Sequence, residues 1–134
     1  MKNQLIRVGT VYIPVSDPAL SAEWYKGKLG AKLNFLDEEK AILDIADISI
    51  FLVKSADQSS NFFDAEGVER FVLTYEVNGL GALRSLQAEL KEHGVKVGEI
   101  ENRGHAGRNF VFCDLDGNKF DVWSELSKDY RQPV

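Results

Sequence analysis

Residues 5–15 read LIRVGTVYIPV, partly alternating and rich in β-branched positions, which predicts a strand entering a core. The period then changes. Asp17 is placed to cap a helix, and Pro18 sits at its first turn, where a missing amide hydrogen costs nothing. A helix is predicted over 18–29, with Leu20, Trp24 and Tyr25 on its apolar face and Gly30 as a left-handed C-terminal residue. Three short strands follow, over about 31–36, 40–45 and 48–54, separated by acidic Asp37-Glu38-Glu39 and by a turn at Ala46-Asp47.

A second copy of this plan begins near residue 68. A strand over 68–77 leads to Asn78, a candidate cap, and to a helix over 80–93 in which Leu80, Leu83, Leu86 and Leu90 keep helical spacing. Val15 and Val77 stand 62 residues apart, Gly30 and Gly94 stand 64 apart, and each closing glycine precedes an extended segment. The remaining strands are predicted over 95–101, 109–114 and 119–123, the last two joined by a turn at Gly117-Asn118. The fold class expected is α+β, two paired β-α-β-β-β modules in a single domain over 1–134. Module one covers about 5–54, a polar connector 55–67, module two about 68–124, and a polar tail 125–134. Phe62 and Phe63 form an apolar pair unusual in a connector.

Composition narrows the chemistry. The 44% apolar and 28% charged content is that of an ordinary globular protein. No apolar run approaches a membrane span of about 20 residues, and the start lacks a signal-peptide core, so a cytoplasmic location is expected. Cys113 is the single cysteine, which excludes an internal disulfide or a two-thiolate metal site within one chain. A net charge of -5 argues against nucleic-acid binding. The run Asp114-Leu115-Asp116-Gly117-Asn118 lacks the further oxygen ligands of a calcium loop and reads as a turn. His93, at a helix C-terminus, favours the helix dipole and reads as structural. No nucleophile elbow, phosphate loop or dinucleotide fingerprint occurs, and Gly79-Leu80-Gly81 lacks a third glycine.

The two modules, the segment VSDPALSAEWYKGKLGAKL and the hairpin DLDGNKFDVWSE resemble the vicinal oxygen chelate superfamily, which includes glyoxalase I, the bleomycin-resistance proteins, extradiol dioxygenases and fosfomycin-resistance enzymes. The resemblance covers nearly the whole chain and implies mixed sheets curled around a shared cavity, often completed in a homodimer. It also implies a divalent metal in many members, held on cavity-facing strand positions. Those positions here are Thr10, Val72 and Asp121, with a fourth near residues 49–53, and only Asp121 is a competent ligand. A metal-free cavity is therefore expected, with a displaced divalent site using Asp121 and His105, or Glu125, as the alternative.

Under the same resemblance, strand alternation sends Val11, Ile13, Val15, Ile50 and Leu52 toward the helix and Thr10, Tyr12, Pro14, Ser49, Phe51 and Val53 toward the cavity. In module two, Val72, Thr74, Glu76, Asp121 and Trp123 take the cavity side. Rings supply contact area and a few polar groups orient a ligand. Glu76, Asp121 and the negative net charge favour a neutral or cationic, partly aromatic small molecule. Phe62 and Phe63 are candidate edges of the site, and the loop 103–108 offers His105 and Arg108 for anion clamping or acid–base work. The function expected is small-molecule binding of the bleomycin-resistance type, without a cofactor. The alternative is a glyoxalase-like lyase or isomerase, or a dioxygenase relative, with Glu76 and Asp121 as catalytic candidates.

Overall fold

A computed structural model describes residues 2–127 and 130. The chain divides into two compact units, Met1–Ser59 and Ser60–Val134, each built on its own sheet. The expected polar tail lies largely outside the described residues.

In the first unit, β1 (Thr10–Val15) leads into α1 (Pro18–Leu29), followed by β2 (Lys32–Leu36), β3 (Lys40–Ile45) and β4 (Ile48–Lys54). The sheet order is β1-β4-β3-β2, with β1 parallel to β4 and the other pairs antiparallel. Residues 5–9 do not extend β1 as their β-branched content predicts. Its pairing ends at Thr10 opposite Ser49, with one last bond from Ser49 N to Gly9 O at 2.8 Å, and β4 itself begins at Ile48 after the turn at Ala46-Asp47; Ile6 is 91% exposed.

The start of α1 follows the sequence expectation. Asp17 Oδ1 accepts from Ala19 N at 3.1 Å and Leu20 N at 3.2 Å, and Gly30 closes the helix at φ 70°. Its buried face differs. Pro18, Ser21, Ala22 and Tyr25 meet the sheet, while Leu20 is exposed. The small residues at 21 and 22 let the helix lie close, and Leu20 falls off that stripe. Ile13, Val15, Leu43, Ile50 and Leu52 fill the space between helix and sheet. Each such burial is worth about 2 kcal/mol.

The second unit repeats the arrangement with weaker edges. β7 (Thr74–Glu76), α2 (Leu80–Glu92), β8 (Asn109–Cys113) and β9 (Lys119–Trp123) form a sheet of order β7-β9-β8, with β7 parallel to β9. The strand predicted over 95–101 is reduced to two bridges, Val97 to Phe112 and Glu101 to Asn109. Four steps along one side face three along the other, so a one-residue bulge interrupts the ladder. β2 carries the same slip against β3 between Leu33 and Phe35, so the two units share this irregularity.

The strand predicted over 68–77 is also split. β6 (Glu69–Arg70) pairs back with β5 (Phe62–Phe63), which lies in the expected connector, and only residues 74–76 join the main sheet. Asp64 holds the turn between β5 and β6 by accepting from Glu66 N at 2.9 Å and Val68 N at 3.0 Å. On α2 the capping residue is Gly79, at φ 103° and without a side-chain cap, rather than Asn78. Leu83 and Leu90 are buried, Leu86 is half-buried, and His93 Nδ1 meets Glu89 O at 2.8 Å at the helix end.

The 114–118 turn explains its own composition. Asp114 Oδ1 accepts from Asp116 N and Asn118 N, both at 2.9 Å. Buried Asn118 accepts from Ser60 N at 2.7 Å, and Asn61 bonds Gly117 O and Lys119 N at 2.8 Å. The motif clasps the start of the unit onto the β8–β9 turn, which spends the oxygens that a cation would need.

Candidate functional site

Each sheet has one face against its helix and one face open. In the first unit the open face carries Thr10, Tyr12, Ser49 and Phe51, as the alternation predicts. Tyr12 and Phe51 share a rung of the β1–β4 ladder and stack with centroids 4.8 Å apart and planes within 10°. The pair is not sunk in a core, for Tyr12 is 65% exposed. Ser49 instead turns to Asp44, donating to Oδ1 at 3.0 Å. That bond and one from Asn34 hold the Asp44 carboxyl below its ordinary value, the Asn34 bond contributing more. Two concavities of this unit lie elsewhere. One of about 660 Å³ is lined by Arg7, Gly30, Asp44, Asp47 and Ser49, and one of about 490 Å³ by Asp17, Asp37, Glu38 and Lys54. Neither includes Tyr12 or Phe51.

The second unit's open face is built differently. Asp121, expected to look into a pocket, is only 2% exposed. Its Oδ2 accepts from Thr74 Oγ1 at 3.0 Å and from Asn109 Nδ2 at 2.9 Å. Arg103 Nη2 lies 3.1 Å from Oδ1 in an ion pair whose direction falls short of a hydrogen bond. The same Nη2 donates to Glu101 Oε2 at 3.1 Å, and the guanidinium stands over the Phe71 ring at 5.6 Å. Burial pulls the Arg103 pKa down, but the Glu101 bond and the Asp121 charge outweigh it, so the group is held above its ordinary value. A buried carboxylate is tolerable because a cation and two neutral donors surround it.

Neighbouring candidates are also engaged. Glu76 accepts from the Ser127 amide at 2.9 Å and from its hydroxyl. Trp123 Nε1 donates to Ala106 O at 2.9 Å, and His105 stands edge-on to the indole at 5.9 Å. Arg108 donates to Gly107 O, and its amide donates to Ser124 Oγ at 2.8 Å. The loop 103–108, expected to offer His105 and Arg108 to a ligand, is thus tied to the end of β9. Gly107 makes the close approach possible: at φ 77°, an added Cβ would fall 2.6 Å from Ser124 Oγ and 2.8 Å from Trp123 Nε1. Phe62 and Phe63 sit exposed on β5, and Val72 is exposed beside the second face.

Two residues of the polar cluster escaped the sequence reading. Asn109 had a usable signal, being a polar residue in register with Trp123 and two rungs from Asp121, hence on the same face, of a strand whose other face carries Phe110 and Phe112. Arg103 had none beyond its charge, because its partners lie on other segments.

The donors at the implied metal positions do not fit a divalent ion. Thr10 is a weak neutral ligand, Val72 has no lone pair, and the Asp121 carboxylate is consumed by Thr74, Asn109 and Arg103. His105 Nδ1 is directed at Ala106 O, 2.8 Å away. Among the described residues no three of His, Cys, Asp and Glu are placed to hold a metal.

A β-α-β-β-β unit followed by a second unit of the same plan, in which the strand after the helix is reduced to two bridges, defines an α+β protein with mixed sheets. The sequence matches the Glyoxalase/Bleomycin resistance protein/Dioxygenase superfamily over residues 7–122, and the chain belongs to that superfamily. Its fold is similar to lactoylglutathione lyase from Agrobacterium tumefaciens, at 12% identity and TM-score 0.71, covering 90% of this chain and 95% of that one. It is also similar to the fosfomycin resistance protein FosX from Listeria monocytogenes, at 14% identity and TM-score 0.70, covering 93% and 94%. A glyoxalase/bleomycin resistance protein/dioxygenase domain from Frankia sp. aligns at 19% identity and TM-score 0.68, covering 92% and 100%. No curated protein matches the sequence. At these identities the likeness is one of fold, which hosts many chemistries.

Proposed function

We propose that the chain binds a small, partly aromatic molecule on its open sheet faces, without a divalent metal, and works as a homodimer. The observation that carries this is the Tyr12–Phe51 stack, an aromatic platform left largely open on a rigid sheet. A sheet face that presents rings to solvent forgoes burial worth about 2 kcal/mol per ring, and covering it with a flat ligand recovers that gain. The donor chemistry at Thr10, Val72 and Asp121 supports the metal-free reading. Catalysis by Glu76 and Asp121 has less support, since both carboxylates already serve as acceptors for side chains or backbone of the same unit.

The test combines metal analysis with ligand screening. Protein incubated with Zn, Ni, Mn and Fe(II) is expected to retain no stoichiometric metal, and its thermal midpoint to ignore chelator. Neutral and cationic aromatic compounds are expected to raise the midpoint, and Tyr12→Ala or Phe51→Ala to abolish that rise. One metal per chain, with a midpoint that falls on chelation, would instead establish a displaced metal site. Sedimentation at several concentrations checks the dimer.

A further inference from the structure

Arg103 is fixed from three sides, by Glu101, Asp121 and the face of Phe71, and yet is 26% exposed. All its polar contacts fall on Nη2; among the described residues Nη1 and Nε donate to nothing. A guanidinium carries five donors in a rigid plane. Two sides of that plane are occupied by the protein and one edge is left with its hydrogens unspent. Because the group is already ordered, a ligand accepting from that edge meets little of the entropy cost of arranging a long side chain.

The charge around this edge selects what it takes. One guanidinium sits between two carboxylates, so the Glu101–Arg103–Asp121 trio carries a net negative charge. A full anion would gain the donors of Arg103 but be repelled by the trio as a whole. A cation would be attracted by the charge but has no lone pair for Nη1 and Nε. A neutral carbonyl oxygen satisfies both conditions. Trp123, two positions along β9 from Asp121 and so on the same sheet face, and exposed Val72, two residues before β7, supply apolar surface for a ring attached to that carbonyl.

We infer that Arg103 anchors the ligand on the second unit's face, and that the ligand presents a neutral carbonyl group on a flat ring. This rests on the small-molecule-binding reading above and deepens it. Arg103 is the contact, while Asp121, through Thr74 and Asn109, is a positioning residue that holds the guanidinium in place.

The test uses three probes of one shape, benzamide, benzoate and benzamidinium, titrated into the full chain while the indole N–H resonances of Trp24 and Trp123 are followed by NMR. Benzamide is expected to shift the Trp123 resonance and saturate in the millimolar range, with benzoate and benzamidinium weaker by about fivefold or more, as expected when a charge is mismatched or donors are left unpaired. Trp24, on α1, serves as the internal control. Arg103→Met combined with Asp121→Asn removes both charges together, so no unpaired buried carboxylate remains; it is expected to weaken benzamide about tenfold at an unchanged fold, and Arg103→Lys to fall between. Benzamide binding unaltered in the double variant, or benzoate or benzamidinium binding more tightly than benzamide, overturns the anchor. Probes that shift ring resonances of Tyr12 and Phe51 but leave Trp123 unmoved overturn it while sparing the binding function. If none of the three perturbs either face, both readings fall.

Discussion

The two units place the same ladder rung to opposite uses. In the first, Tyr12 opposes Phe51 across parallel strands, and the two rings stack in the open. In the second, Thr74 opposes Asp121 in the same arrangement, and the carboxylate disappears into a cluster with Asn109 and Arg103. One face keeps apolar area that is satisfied only by something laid upon it. The other has paired its buried carboxylate internally with Thr74, Asn109 and Arg103. A repeated backbone plan therefore does not imply a repeated site, because the strand register fixes where side chains point and leaves their chemistry open.

Removing the cation from the second face should produce the largest effect. Arg103→Met leaves Asp121 buried without its counter-charge and should lower the unfolding free energy by about 3 kcal/mol, read by urea denaturation. Phe51→Ala, the matching change on the first face, should cost closer to about 1 kcal/mol, because its ring is only partly buried. Equal losses would break the contrast between a charge-locked face and an open one.

Tyr75 sharpens the same comparison from the helix side of the second sheet. Its ring packs near Phe112 and Phe120, its hydroxyl is buried without a partner, and burial pushes its pKa up to about 12 from 10.0. Below pH 10 both folded and unfolded chains hold this proton and the full stabilisation is present. As pH rises through the unfolded value toward the folded one, unfolded chains lose the proton first, and stability falls. The loss should reach about 2–3 kcal/mol by the top of that window. Tyr75→Phe should remove this component of the alkaline slope and raise stability at neutral pH by about 1 kcal/mol, since it deletes an unpaired buried hydroxyl. An unaltered slope in that variant would mean the hydroxyl finds a partner.

Gly107→Ala tests the strap at the rim of the second face. The positive φ and the contact with Ser124 and Trp123 should together cost about 2 kcal/mol and shift Trp123 fluorescence, whereas Gly30→Ala, which meets nothing within 4 Å, should cost only its backbone strain of about 1 kcal/mol. The smallest effect concerns the helices. Asp17→Ala should cost about 1 kcal/mol by releasing two amide donors at the start of α1, while α2 has no side-chain cap to lose.

What the sequence determined by itself is local. Asp17, Pro18 and Gly30 mark the ends of α1 because capping and left-handed residues act on neighbours in the chain. Ile13, Val15, Ile50 and Leu52 point inward because alternation is a property of a single strand. The 114–118 turn closes on its own side chains, and the repeat of these features was enough to indicate two units of an α+β fold. Tertiary structure decided the rest. Residues 5–9 have strand composition but lie before the β1–β4 ladder, Leu20 gives way to Ser21 and Ala22 because the sheet demands a close approach, and the 95–101 segment loses its ladder to a bulge. The character of Asp121 was decided in the same way. Alternation placed it on the open face, but whether it stands there as a ligand, a catalyst or a locked ion pair depends on Arg103, Asn109 and Thr74 arriving from three other segments. Contacts between distant segments are set by packing and charge compensation in space, and these leave no period along the chain.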